Sequence, residues 1–368
     1  MQLVLSYNFF KPDSPLKSVG FLFLKILFLA VCYASAFVSF AQIGGRNSYE
    51  FLNLSANPRT MALGGINVSL GQNDANMFLN NPAVLDSSMA GWASLNYNPF
   101  FGKIPHFLLT YAHDFGGNIG LVGAGLQYIR YGTIQETDEA GKIIGEFVAA
   151  DYALTLGKTW HSGNFRFGSN AKIIASNIAS YSAFALATDL GGVFKHPEKD
   201  LQIGLTLTNV GFSIKNYFSG QNLNLPFDAR LGVSFKPRYM PARFSITAHH
   251  LYRWDIAYND PAFATTLDPF TGQSQTKKIS FADKLFRHFV FGTELLLHKN
   301  FHIRLGYNHL RSKELRFSEA TALAGFSGGL AFRVKGYEFA YTRAGFAAGG
   351  RSFLVLSKNI NDFFKKSE

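Results

Sequence analysis

What most constrains this chain is a side-chain alternation of period two, repeated in short segments from Gly91 almost to the C-terminus. Tyr152, Leu154, Leu156, Lys158 and Trp160 alternate with Asp151, Ala153, Thr155, Gly157 and Thr159. Leu201, Ile203, Leu205 and Leu207 do the same against Gln202, Gly204, Thr206 and Thr208, and Phe301, Ile303, Leu305 and Tyr307 against His302, Arg304, Gly306 and Asn308. Successive side chains of a strand point to opposite faces, so each segment reads as a strand with one apolar and one wet face.

About fourteen such strands fit between residues 90 and 358, an even number as bacterial outer-membrane barrels require. Single strands are expected over 242–254, 286–298 and 301–311. Their connections sort by length. Asp114–Gly117, His161–Asn164, His196–Asp200, Lys236–Ala242, His298–Asn300 and Lys335–Gly336 are tight, and between them fall long loops at 131–146, 212–226, 255–285 and 312–325. Short turns on one side and long loops on the other is the asymmetry of an outer-membrane barrel. A soluble β-sandwich would also alternate, but its loops need not sort by side. Composition agrees with the barrel: the chain has 38 Phe and 16 Tyr with only 16% charged residues. Beyond the N-terminus no apolar run approaches the ~20 residues of a membrane helix. The expected fold is therefore all-β, a transmembrane barrel of about fourteen antiparallel strands. Its apolar residues face lipid, and Asp151, Arg166, Arg230, Arg243, Arg304 and Arg333 line the lumen.

Residues 1–41 read as a signal peptide. Lys11 and Lys17 precede an apolar run from Phe21, which closes on Ser39 and Ala41. The only cysteine, Cys32, lies in this segment, so no disulfide framework or cysteine-based metal site is expected in the exported chain. The formal charge is +11, but the basic residues are scattered singly. No Lys/Arg run marks a nucleic-acid face, and anionic lipid or lipopolysaccharide phosphate is the expected anionic partner.

Residues 42–89 lack long alternation. Short helical pieces at Ser48–Leu54, Asn57–Leu63 and Asp74–Leu85 are broken by Gly64-Gly65 and Asn81-Pro82. This stretch reads as a small N-terminal hatch, and residues 359–368 as a polar tail.

The search for chemistry is short. Gly120, Gly123 and Gly125 lie inside an alternating strand and open no helix, so they are not a dinucleotide fingerprint. His249 and His250 are adjacent on an expected strand, hence on opposite faces, and are not expected to share a metal. His298 and His302 flank a tight turn without a nearby carboxylate. Ser245 and His249 share a face, but at ~3.3 Å per residue they stand too far apart to form a nucleophile and base. No enzyme, cofactor or metal is expected. Long loops collect binding functions. The longest supplies the candidate partner-binding residues Asp255, Tyr258, Asp260, Phe263, Asp268, Phe270 and Phe281, with a short helix over Phe281–Arg287. Loops 131–146, with Glu136, Asp138 and Glu139, and 212–226 are second choices.

The run Gln42–Leu54 resembles the start of mature PorQ-family proteins, outer-membrane components of the Bacteroidota type IX secretion system. Met61–Gly65, Asn81–Leu85, Asp283–Gly292, Leu305–Asn308 and Gly325–Gly329 are similar to that family as well. The Asn81-Pro82-Ala83 element also resembles the wider FadL-like group of fourteen-stranded barrels with an N-terminal hatch. The resemblance implies a non-enzymatic scaffold that holds a PorZ-like surface protein. With PorU- and PorV-like components it would form a complex attaching secreted cargo to lipopolysaccharide. The alternative is a FadL-like transporter of hydrophobic small molecules.

Overall fold

The computed structural model describes residues 47–99, 104–220, 223–257, 265–267, 274–276, 279–314, 323–347 and 349–361. Fourteen strands form one closed antiparallel barrel. They are β1 (Trp92–Pro99), β2 (Pro105–Asp114), β3 (Leu121–Thr137), β4 (Ile143–Ser162), β5 (Phe165–Ile178), β6 (Tyr181–Lys195), β7 (Asp200–Lys215), β8 (Asp228–Lys236) and β9 (Ala242–Ala248), followed by β12 (Phe289–His298), β13 (Phe301–Asn308), β14 (Phe326–Val334), β15 (Tyr337–Phe346) and β16 (Gly349–Asn359). β10 (Thr265–Leu267) and β11 (Ser274–Thr276) make a separate two-stranded ribbon between β9 and β12. Closure is by β1 against β16, with Trp92 opposite Asn359 and Tyr97 opposite Leu354. Closing the ring removes the unpaired edges that an open sheet would expose. Among the described residues no helix is long and apolar enough to cross a membrane.

The alternation turns outward as expected. On β5, Phe165, Phe167 and Ile173 are exposed while Asn170, Lys172 and Ser176 are buried. Leu154, Leu156, Leu205, Leu231, Leu305 and Phe339 likewise stand exposed on the outer wall. A bilayer covers such a belt. Aromatic pairs mark both rims. Phe165–Phe194 and Phe301–Phe332 lie near the tight turns with ring centroids 5.1 and 4.9 Å apart. Tyr128–Tyr152 and Tyr307–Phe326 lie toward the long loops at 4.9 and 4.7 Å. Two such girdles are the interfacial signature of an outer-membrane barrel.

Several boundaries differ from the sequence expectation. β9 stops at Ala248 instead of running to 254, because His250 adopts a left-handed backbone (φ 55°) that breaks the ladder. β12 starts at Phe289, and β13 gives way to a helical turn, His309–Lys313, capped by the Asn308 side chain. β3 and β4 continue through most of the expected loop 131–146, leaving only 138–142 as the turn.

Residues 47–91 fold into short helical turns, four of them started by a side-chain cap. Asn57, Asp74, Asn81 and Asp86 accept from the backbone N–H two residues on, and Pro58 and Pro82 occupy the first position of their turns. This segment touches strands on every side of the ring. A Cβ on Gly204 would lie 2.1 Å from the Val68 carbonyl oxygen, and one on Gly306 would lie 2.3 Å from the Gly64 nitrogen. Only glycine lets the wall approach that closely.

Candidate functional site

Inside the ring, polar side chains of the N-terminal segment meet polar side chains of the wall. Arg59, in the helix Pro58–Ala62, makes a bidentate pair with Glu294 of β12, Nε to Oε1 at 2.8 Å and Nη2 to Oε2 at 3.0 Å. The same carboxylate receives Arg304 of β13 at 3.0 Å and Arg243 of β9 at 3.4 Å. Glu294 is fully buried. Burial opposes the charge on Arg59, but Glu294 more than compensates and raises the guanidinium pKa. Arg243 also reaches Asp200 and the Gln72 side chain, both at 3.0 Å. The cluster fixes one point of the segment to three strands.

Asn81 is a second anchor. Its amide donates to the Gly192 and Leu205 carbonyls of β6 and β7, both at 3.4 Å, and within the segment to the Val68 carbonyl at 2.7 Å, while its Oδ1 caps Ala83. Asn76 accepts from Asn96 at 2.7 Å and Thr110 at 2.8 Å. Phe78, fully buried, packs where Gly123, Gly125 and Gly157 leave room on β3 and β4. The glycine run of β3 is therefore a seat for a side chain.

The structure places the expected lumen residues as follows. Arg243 and Arg304 share Glu294. Arg230 pairs with Asp228 at 2.6 Å, Arg166 with Asp86 at 3.3 Å, and Arg333 with Glu338. Asp151 accepts from Tyr131 at 2.6 Å and from Ser176. Sequence reasoning missed the partners: Arg59, Glu294, Glu338 and the buried pair Lys172–Asp189, 2.8 Å apart. A carboxylate at an inward position of an apolar strand was the available signal for Glu294. At the tight-turn end a cavity of about 450 Å³ is lined by Arg59, Arg243, Arg304, Arg333, His298 and His302. Its guanidinium groups make it a poor place for a cation, although both turn histidines open onto it.

Of the expected loop residues, Asp255 holds Lys284 at 2.6 Å, and Phe281 is 69% exposed and lies 5.3 Å from the Trp254 ring. Tyr258, Asp260, Phe263, Asp268 and Phe270 lie outside the described residues. The short helix is present as Phe281–Phe286. Its Asp283 accepts from Arg287 at 2.8 Å and from His309 at 2.8 Å.

The expected placement of His249 and His250 on opposite faces of a strand is overturned. With His250 left-handed, the two rings fall on the same side and their Nδ1 atoms meet. Asp228 joins them, so one ligand atom from each of the three lies within 4.8 Å of the others. Burial, and then the neighbouring His250, holds His249 neutral, with its pKa well below the usual imidazole value. Ser245 is committed elsewhere, donating to the Gly292 carbonyl at 3.3 Å.

No family model and no curated protein matches the sequence. Solved structures are similar in fold. The TodX monoaromatic hydrocarbon channel, as a deletion mutant, matches at TM-score 0.50 and 12% identity, covering 83% of this chain and 99% of its own. The Ralstonia pickettii toluene transporter TbuX matches at 0.46 and 12%, covering 84% and 99%. A Pseudomonas aeruginosa FadL homologue matches at 0.44 and 12%, covering 83% and 98%. At such identity the likeness is one of architecture, that of an outer-membrane β-barrel.

Proposed function

We propose that this protein is an outer-membrane barrel, closed through its centre by residues 47–91, that captures hydrophobic small molecules at its outer end. One observation carries the reading. An apolar cleft of about 730 Å³ lies on the wall toward the long loops, among Phe291, Leu305, Tyr307, Leu323 and Phe326. Its size and lining suit a small apolar ligand, and it sits where a compound partitioning into the outer leaflet would meet the protein. The fold shared with the hydrocarbon channel TodX supports the same reading. Filling the cleft with Gly328→Trp is expected to weaken binding of a radiolabelled aromatic hydrocarbon or fatty acid by at least about tenfold while leaving a folded, heat-modifiable barrel. Unchanged binding would remove the cleft from the account.

A second reading is a scaffold for surface attachment of secreted proteins, with a PorZ-like partner and PorU- and PorV-like components. The sequence runs shared with the PorQ family, Gln42–Leu54 and Asp283–Gly292 among them, support it. So does the gathering of the long connections at one end, where Trp254 and Phe281 stand exposed. Deleting the gene separates the readings. Loss of a surface protein with uptake intact favours the scaffold, and loss of uptake with the surface unchanged favours capture.

A further inference from the structure

Asp228, His249 and His250 lie at the roots of two connections on the long-loop side. Asp228 opens β8 where the segment from β7 arrives, and the two histidines open the longest connection, just past Ala248. Three features make this cluster more than a chance meeting. First, the backbone is distorted to form it: a left-handed non-glycine residue such as His250 is strained and persists only where its surroundings hold it.

Second, the carboxylate and the backbone that carries His249 are held from behind. The Asp228 carboxylate takes one donor on each oxygen, Arg230 Nε on Oδ2 at 2.6 Å and the His250 backbone N–H on Oδ1 at 2.7 Å, leaving a lone pair free on each. The His249 backbone is clamped by His288. Its N–H donates to the His288 carbonyl at 3.0 Å, and its carbonyl lies 2.8 Å from His288 Nδ1. His288 in turn reaches the Trp254 carbonyl at 2.9 Å and stacks on the Trp254 ring at 5.6 Å. Such outer supports are what orient imidazole and carboxylate ligands in metal sites.

Third, the polar groups are under-satisfied among themselves. Two imidazoles meeting Nδ1 to Nδ1 share one proton at most between two ring nitrogens. A cation bound by both Nδ1 lone pairs would replace the crowded contact with two ligand bonds.

We propose that Asp228, His249 and His250 form a binding site for a divalent transition-metal ion of the zinc class. Two imidazole nitrogens and one carboxylate oxygen suit zinc, cobalt or nickel and disfavour magnesium and calcium, which take oxygen ligands. Asp228 and His249 are buried, whereas His250 is half-buried, so ion and water enter from the His250 side and water takes the remaining position. The ion ties the base of the longest connection to the start of β8, bracing the outer end of the barrel. The site is independent of the apolar cleft and of either functional reading.

The test uses the full chain without a histidine tag, stripped with a chelator and kept in detergent micelles. Titration with zinc by calorimetry, and with cobalt by visible absorption, is expected to show one equivalent bound, with magnesium and calcium giving no signal. His250→Gln, the milder change because His250 is half-buried, is expected to weaken zinc binding at least about tenfold, as are His249→Gln and Asp228→Asn. Heat-modifiable mobility on a gel verifies that each variant is folded. The proposal is overturned if the native chain binds no stoichiometric zinc or if folded His249→Gln/His250→Gln protein binds it as tightly as the native chain.

Discussion

Two of the buried carboxylates, Glu294 and Asp228, are satisfied in opposite ways. Glu294, toward the tight turns, is surrounded by three guanidinium groups. Asp228, at the long-loop end, has one guanidinium and two imidazoles. Guanidinium stays protonated and offers only donors, so the first cluster is a permanent fastening. A neutral imidazole carries a lone pair, so the second can answer to a metal ion. The fastened end joins the N-terminal segment to the wall through Arg59, whereas the responsive end joins two surface connections to each other.

The largest effect is expected from Glu294→Gln. Removing the charge leaves buried Arg59 and Arg304 without a carboxylate and Arg243 with Asp200 alone, and breaking a buried pair costs about 3–5 kcal/mol. Denaturant unfolding in micelles is expected to show a loss of that order. Asp228→Asn, by contrast, is expected to cost only about 1–2 kcal/mol, because a single guanidinium loses its charged partner. Equal losses at the two sites would erase the distinction.

Arg59→Ala sharpens it from the other side. Glu294 keeps Arg243 and Arg304, so the ring survives, but the segment loses its charged anchor. Limited proteolysis is expected to cut within residues 47–91 while the barrel remains heat-modifiable. Gly204→Ala attacks the same seating sterically. A Cβ 2.1 Å from the Val68 carbonyl forces a backbone to move, at about 1–3 kcal/mol, and the same cleavage pattern is expected.

The smallest effect lies at the outer end. Burial would push the Asp283 carboxyl up, but hydrogen bonds from His309 and Arg287 hold its pKa below the usual carboxylate value. A group depressed on folding contributes fully above its unfolded pKa and loses that contribution as the pH falls through the folded one. Below about pH 4 the helix Phe281–Phe286 should therefore become more accessible to an acid-stable protease, by less than ~1 kcal/mol in this partly exposed setting. Asp283→Asn should abolish the pH dependence.

Strand number, closure and the inward or outward sense of each face were legible because lipid demands an apolar residue at every second position. Where lipid stops, so does that demand. Residues 131–137 and 143–146 continue as strand with Thr133, Gln135 and Glu136 among them, and no alternation announces it. The pattern misled in the other direction at 249–254, where the sequence reads on as strand but the left-handed turn at His250 ends it. Side-chain periodicity carries no record of one backbone angle. The inward arginines could be picked out singly, since each occupies a wet position on its strand. Their shared partner could not, because Arg59 and Glu294 are 235 residues apart and only barrel closure brings them together.

Residues 47–91 lie inside the ring and are fastened there through Arg59 and Glu294. Single-channel conductance in planar bilayers tests it most directly. The account predicts no steady conductance for the native chain and stepwise ionic openings for folded Arg59→Ala protein, whose segment is no longer pinned. A steady open channel in the native protein would contradict it.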